Sequence, residues 1–113
     1  MQRAYGRPAD VVDLAEIDPP GPPTGDRVVV RVRAASVNRA DLDALGPRPG
    51  VLRPFMGIRG PRDPRMGVDA AGVVEAVGPD ATRLKPGDAV MGDMFVGGDG
   101  AFAELTGAPE RAF

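Results

Sequence analysis

The chain contains no cysteine and no histidine, and arginine supplies all but one of its fourteen basic residues. The missing cysteines exclude a disulfide framework, a thiolate nucleophile and a thiolate metal ligand. The missing histidines remove the commonest general base and the commonest metal ligand. A zinc centre built from nitrogen and sulfur donors is therefore impossible, and so is a triad that needs an imidazole. No apolar run approaches a membrane span, and the opening "MQRAYGRPADVV" lacks the apolar core of a secretory signal, so a cytoplasmic protein without a membrane partner is expected. A formal net charge of −2 gives no electrostatic reason to expect nucleic acid as a partner.

Abundance lies elsewhere. Sixteen glycines and thirteen prolines punctuate 113 residues without any repeat. That length suits one domain with a core large enough to fold without covalent staples. Dense punctuation between short apolar runs predicts a mainly β domain with many turns. "RVVVRVRAASV" is the clearest strand, with Val28, Val30 and Val32 on one face and Val29, Arg31 and Arg33 on the other. A further strand is expected over "VVDLAEI" (Val11–Ile17), ahead of the rigid connector "DPPGPPTGD". Others are expected over "GVVEAVG", "AVMGDMFV" and "GAFAELTGAP". "NRADLDALG" predicts a two-turn helix capped by Asn38, with Asp41 completing a capping box, Leu42 and Leu45 on one face and Gly46 as a left-handed terminator. The stretch Gly46–Gly67 holds five glycines, five prolines and five arginines in 22 residues and reads as a long excursion.

Two glycine motifs admit simple structural readings. "GDGAFA" (98–103) fits G-x-G-x-x-G/A, but that fingerprint needs a strand before it and a long helix after it. Only ten residues follow, so a glycine-rich hairpin is expected instead, and no nucleotide-binding unit within the chain. "LKPGDAV" predicts a type II turn on Pro86-Gly87 feeding a strand.

The order of the motifs adds information that none carries singly. "AASVNRADL", "GVDAAGVVEAVG", "LKPGDAVMG" and "GAFAE" follow one another in register. That succession resembles the N-terminal, GroES-like catalytic domain of the medium-chain dehydrogenase/reductase superfamily, and within it the zinc-independent quinone oxidoreductase branch. The resemblance implies a partly open β-barrel with one or two short helices, occupying 1–113 as the substrate-side domain. Where zinc-bearing members carry a ligand cysteine this chain has Asn38, and where they carry histidine then glutamate it has Val68-Asp69. The lobe of four cysteines that holds a structural zinc is replaced by "MFVGGDGAF".

For function, the resemblance implies hydride transfer from NADP(H) to a small quinone, enone or related carbonyl substrate, with no zinc and with the Rossmann domain supplied in cis or in trans. Asn38 and Asp41 match the family motif and would line the cleft beside the nicotinamide, Asn38 as a hydrogen-bond donor and Asp41 as an orienting group. Arg39 stands where proline is frequent in this branch and could reach the cofactor pyrophosphate; the alternative is a solvated arginine. Asp43 replaces an aromatic frequent at its position. The isolated domain is expected to be inactive and to self-associate through a cleft face around Leu42, Leu45 and Phe95. A second reading is a non-enzymatic binding or scaffold domain of co-chaperonin-like barrel fold, which would assemble as a heptamer-sized ring.

Overall fold

The computed structural model describes residues 1–46, 61 and 63–113. Among them the elements run α1 (Pro8–Val11), β1 (Arg27–Ser36), α2 (Arg39–Leu45), β2 (Asp69–Val77), β3 (Ala89–Asp93), β4 (Leu105–Pro109) and a closing 3-10 turn, Glu110–Ala112. No described helix is long and apolar enough to cross a membrane.

The four strands form one antiparallel sheet in the order β3-β2-β1-β4. Its two edge strands, β3 and β4, do not pair with each other, so the sheet curls without closing. This is the partly open, mainly β architecture that the motif order implies. β1 is the axis of the domain. Over its first half it pairs with β2 and β4 simultaneously, and Val28 and Val30 are completely buried there. Valine suits this position because its branched side chain packs on a pleated surface with little rotamer freedom to lose.

Two register shifts interrupt the β1–β2 ladder, between Val29 and Val30 and between Val32 and Ala34. The first leaves Glu75 as an extra residue on β2 and the second leaves Arg33 as an extra residue on β1, and each increases local bending. Gly72 of β2 sits opposite Val32 at the second shift, where a Cβ would lie only 2.1 Å from the Arg31 carbonyl oxygen. A side chain is sterically forbidden at that point.

The core consists of two clusters. Val28, Val30 and Val74 pack with Val77, Leu84 and Val90 under one part of the sheet. Ala70, Met94, Ala101, Ala108 and Ala112 form the other, and Phe113 packs against both. The second cluster is built mainly of alanines, which lets the 94–101 loop and the C-terminal turn approach the sheet closely. Buried Thr106 satisfies its hydroxyl on the Met94 sulfur at 3.5 Å.

The C-terminal turn is tied down by a buried acid. The Glu110 carboxylate accepts the backbone N–H groups of Thr82 (3.1 Å), Arg83 (2.6 Å) and Leu84 (2.7 Å). The Arg83 guanidinium returns a bond to the Glu110 carbonyl at 2.8 Å. Burial pushes the Glu110 carboxyl up, but the three N–H donors and the Arg83 charge pull it further down, leaving it below the ordinary carboxylate range.

Four expectations from sequence are corrected. The strand expected over Val11–Ile17 does not form: Val11 ends α1, Val12 makes an isolated bridge to Gln2, and Leu14 and Ile17 are exposed. Pro8 at the start of the turn and Asp10 within it favour a helical start, and Val12 N–H closes the turn on the Pro8 carbonyl. Gly46 is not left-handed, with φ −150°. The last carbonyls of α2 are met from elsewhere, Ala44 by Gln2 Nε2 and Leu45 by Gly6 N–H, so the left-handed cap has no bond to make. The strand over "AVMGDMFV" stops at Asp93, whose carboxylate takes the Phe95 N–H and turns the chain. "GDGAFA" is a crossover rather than a hairpin, because β4 joins β1 on the far side of the sheet from β3. Of the excursion expected over Gly46–Gly67, residues 47–60 and 62 lie outside the described residues.

The Pro86-Gly87 turn forms as its sequence predicts. Gly87 has φ +95°, and Asp88 N–H reaches the Lys85 carbonyl at 3.1 Å.

Candidate functional site

A cleft of about 380 Å³ opens between α2, Pro61 with the 63–68 segment, and the loop after β3. One wall is apolar, with Val68, Met66, Met94 and Phe95. The floor is glycine backbone at 67, 97, 98 and 100, and the polar groups are Gln2, Asp41, Asp63 and Arg65.

The helix beside it is positioned by reciprocal capping. Asn38 Oδ1 accepts the Ala40 N–H at 2.9 Å, and Asp41 Oδ2 accepts the Asn38 N–H at 2.9 Å. An asparagine in this role contributes roughly 1 kcal/mol. For a helix of seven residues that contribution matters, since so short a segment cannot hold itself. Asp41 is buried, at 4 % exposure, and is among the residues that line the cleft.

Asn38 is held at its other end as well. Its Nδ2 donates to Asp69 Oδ2 at 2.6 Å, the oxygen that also accepts the Ser36 hydroxyl at 2.9 Å. The carboxamide orientation follows from these bonds: the oxygen must face Ala40 N–H and the nitrogen must face the carboxylate. Among the described residues one N–H of the amide has no acceptor. Asn38 itself is not among the cleft-lining residues; it stands immediately behind Asp41, joined to it by the backbone hydrogen bond.

A charge network frames the opposite side. Arg65 bridges Asp63 and Asp99, and Asp99 also receives Arg27 Nη2 at 3.0 Å. Hydrogen bonds from Arg65 hold the Asp63 carboxyl below its ordinary range, against the opposing effect of partial burial. Arg27 further donates to the Gly97 and Gly107 carbonyls at 3.1 and 3.0 Å. The backbones are clasped too, with Ala101 N–H on Gly67 O and Phe102 N–H on Met66 O, both at 2.9 Å. Hydrogen bonds and ion pairs thus tie together the segments that wall this side of the cleft.

Sequence reasoning singled out Asn38, Asp41 and Arg39. The first two come together. Arg39 does not join them: its side chain is 84 % exposed and pairs with Asp43 at 2.8 Å along the helix surface. Sequence reasoning missed Gln2, whose buried side chain lines the cleft while its Nε2 binds Ala4 O and Ala44 O. It also missed the Arg65–Asp99 bridge, since no local pattern couples residues so far apart. Of the apolar face expected around Leu42, Leu45 and Phe95, Leu42 and Phe95 are exposed, whereas Leu45 is buried.

The curled sheet with a capped helix at the end of its central strand defines a class, the GroES-like domain. The alcohol dehydrogenase GroES-like domain model matches residues 24–113, and the chain belongs to that family. Its solved likenesses include a quinone oxidoreductase from Pseudomonas syringae pv. Tomato DC3000, at 32 % identity and TM-score 0.76 over 98 % of this chain and 30 % of that one. Among curated proteins, the trans-enoyl reductase fsa3 of Fusarium sp. is 41 % identical over 99 residues, covering 77 % of this chain and 24 % of the relative. The pikromycin polyketide synthase component PikAII of Streptomyces venezuelae is 39 % identical over 113 residues, covering 98 % of this chain and 2 % of the relative. The chain therefore spans about a quarter of the curated trans-enoyl reductase it matches. It is an N-terminal domain of the oxidoreductase type found in the medium-chain dehydrogenase/reductase superfamily.

Proposed function

We propose that the domain forms the substrate side of a zinc-independent, NADP(H)-dependent reductase acting on electron-poor alkenes: enones, enoyl esters or thioesters, and quinones. The supporting observation is the cleft itself, apolar on one wall and bordered by the Asn38–Asp41 capping box, in a chain with neither cysteine nor histidine. The resemblance to trans-enoyl reductases and a quinone oxidoreductase supports the same substrate class.

The described residues fit the nicotinamide end of the cofactor. The hollow is large enough for a single ring, with Val68, Met94 and Phe95 as an apolar cover. NADP(H) supplies the hydride when bound. The chain's own residues exclude water through the apolar wall and present a donor to the developing oxyanion. Asn38, outside the cleft lining and directly behind Asp41, would serve as donor from the edge of the cleft, since its carboxamide is fixed at both ends while one N–H has no acceptor among the described residues. Asp41 orients that donor through the Asn38 backbone N–H and takes no proton from substrate. Arg39, held by Asp43 on the exposed face, could swing to a phosphate if a second domain offered one. The Rossmann domain that binds the rest of the cofactor, in cis or in trans, belongs to this proposal.

The test is activity by complementation. The 113-residue chain alone should show no NADPH-dependent reduction of an enone or quinone. Joined to the nucleotide-binding domain of the Pseudomonas syringae quinone oxidoreductase, it should gain turnover. In that fusion Asn38→Leu should lower kcat about 10²-fold, the effect of losing one oxyanion donor. Turnover by the isolated chain, or a fusion indifferent to Asn38→Leu, would contradict the assignment.

A further inference from the structure

Asp69 is badly placed for the sheet that carries it. It opens β2 directly opposite Asp93, the last residue of β3, so two acids are cross-strand neighbours on one face. Like charges in that relation weaken a sheet. Neither acid forms an ion pair with a described residue. A residue that works against its own strand pairing points to a demand other than folding.

The Asp69 carboxylate is engaged on its other side. Its Oδ2 accepts Asn38 Nδ2 at 2.6 Å and the hydroxyl of Ser36, its partner across the β1–β2 ladder, at 2.9 Å. The helix does not need the first of these bonds. As a cap, Asn38 is complete once its Oδ1 takes the Ala40 N–H and its own N–H goes to Asp41. The bond to Asp69 acts on the carboxamide nitrogen alone. The last torsion of an asparagine is broad, so an amide anchored only through its oxygen swings about that anchor. A second anchor at the nitrogen fixes the amide plane. The flipped amide is excluded twice, since it would set NH2 against the Ala40 N–H and oxygen against a carboxylate.

We propose that Asp69 is a positioning residue: its carboxylate holds the plane of the Asn38 carboxamide and so fixes the direction of the second Nδ2 N–H. The inference rests on the donor role given to Asn38 above. What matters is an acceptor at this point, not a negative charge. Asp69→Asn can turn its amide oxygen to Asn38 and its NH2 to the Ser36 hydroxyl, whereas Asp69→Ala offers nothing.

Two readouts test this. In the 15N-labelled 113-residue chain, the Asn38 side-chain amide should give two well-separated proton signals and a rigid heteronuclear NOE. Asp69→Ala should draw the signals together and make the group mobile, while Asp69→Asn should keep it ordered. In the fusion with the nucleotide-binding domain, Asp69→Ala should lower kcat about tenfold and leave KM within about twofold, because the donor is present but no longer aimed. Asp69→Asn should recover most of that loss. Both variants should melt at or above the temperature of the parent, since each removes the opposition to Asp93. An Asn38 amide that stays ordered in Asp69→Ala overturns the inference, whatever the fusion does. So does a fall in kcat that follows a fall in melting temperature and is not rescued by Asp69→Asn. An amide that loosens in Asp69→Ala while kcat holds supports the positioning by Asp69 and counts instead against the donor role of Asn38.

Discussion

Gly72→Ala should lower the unfolding free energy by roughly 3 kcal/mol or more and the melting temperature by about 15 °C. A Cβ placed there meets backbone, the Arg31 carbonyl oxygen at 2.1 Å and its carbon at 2.9 Å, as well as Val30 Cγ1 at 2.9 Å. A flexible side chain could rotate away; a paired strand cannot. Relief would require β1 to lift from β2 beside its bulge, opening the ladder that buries Val30 and Val74. Gly46→Ala is the control, since nothing lies within 4 Å of a Cβ at that position and its backbone is not left-handed. It should stay within about 0.5 kcal/mol of the parent. Thermal unfolding followed by circular dichroism measures both.

The second large effect belongs to Glu110. Glu110→Ala deprives three backbone N–H groups of their acceptor in one step and should lower the melting temperature by about 10 °C at neutral pH. Glu110→Gln should cost less, because one amide oxygen can still accept from Arg83 and Leu84 while its NH2 opposes the Thr82 donor. The acid dependence has a definite sign. The folded carboxyl lies below its ordinary value of 4.5, so the stability it adds is complete above that pH and is lost as pH falls through the folded value. The parent should therefore lose stability on acidification more steeply than Glu110→Gln. Asp63 and Asp88 are also held low and contribute to acid loss in both proteins, so the difference between the two curves isolates Glu110. Parallel curves would show that ionisation of Glu110 contributes nothing to the fold.

The parts of this fold legible in the sequence are those with a local cause. Alternating valines mark β1, Asn38 with Asp41 three residues on marks the start of α2, and Pro86-Gly87 marks a turn whose hydrogen bond closes over three residues. What escaped reading depends on partners far along the chain. Nothing within Val11–Ile17 announces that Gln2 bridges Val12, or that the N-terminal segment supplies the bonds that end α2. The two bulges of the β1–β2 ladder, one on each strand, leave no trace in composition. The one at Arg33 lies where β1 passes beyond its pairing with β4. The site divides in the same way. The Asn38–Asp41 pair is three residues apart and was readable, whereas Asn38 to Asp69 and Arg65 to Asp99 are contacts only the sheet can make. Arg39 shows the opposite hazard, since a motif position pointed toward a ligand while the helix surface offered Asp43 four residues away.

In the proposed reductase the cleft and the Asn38 donor beside it work without a cation. Its most direct test is NADPH-dependent enone reduction by the fused protein before and after exhaustive chelation. Equal kcat is expected in both, with no gain on adding zinc. Activity abolished by the chelator and restored by zinc would contradict it.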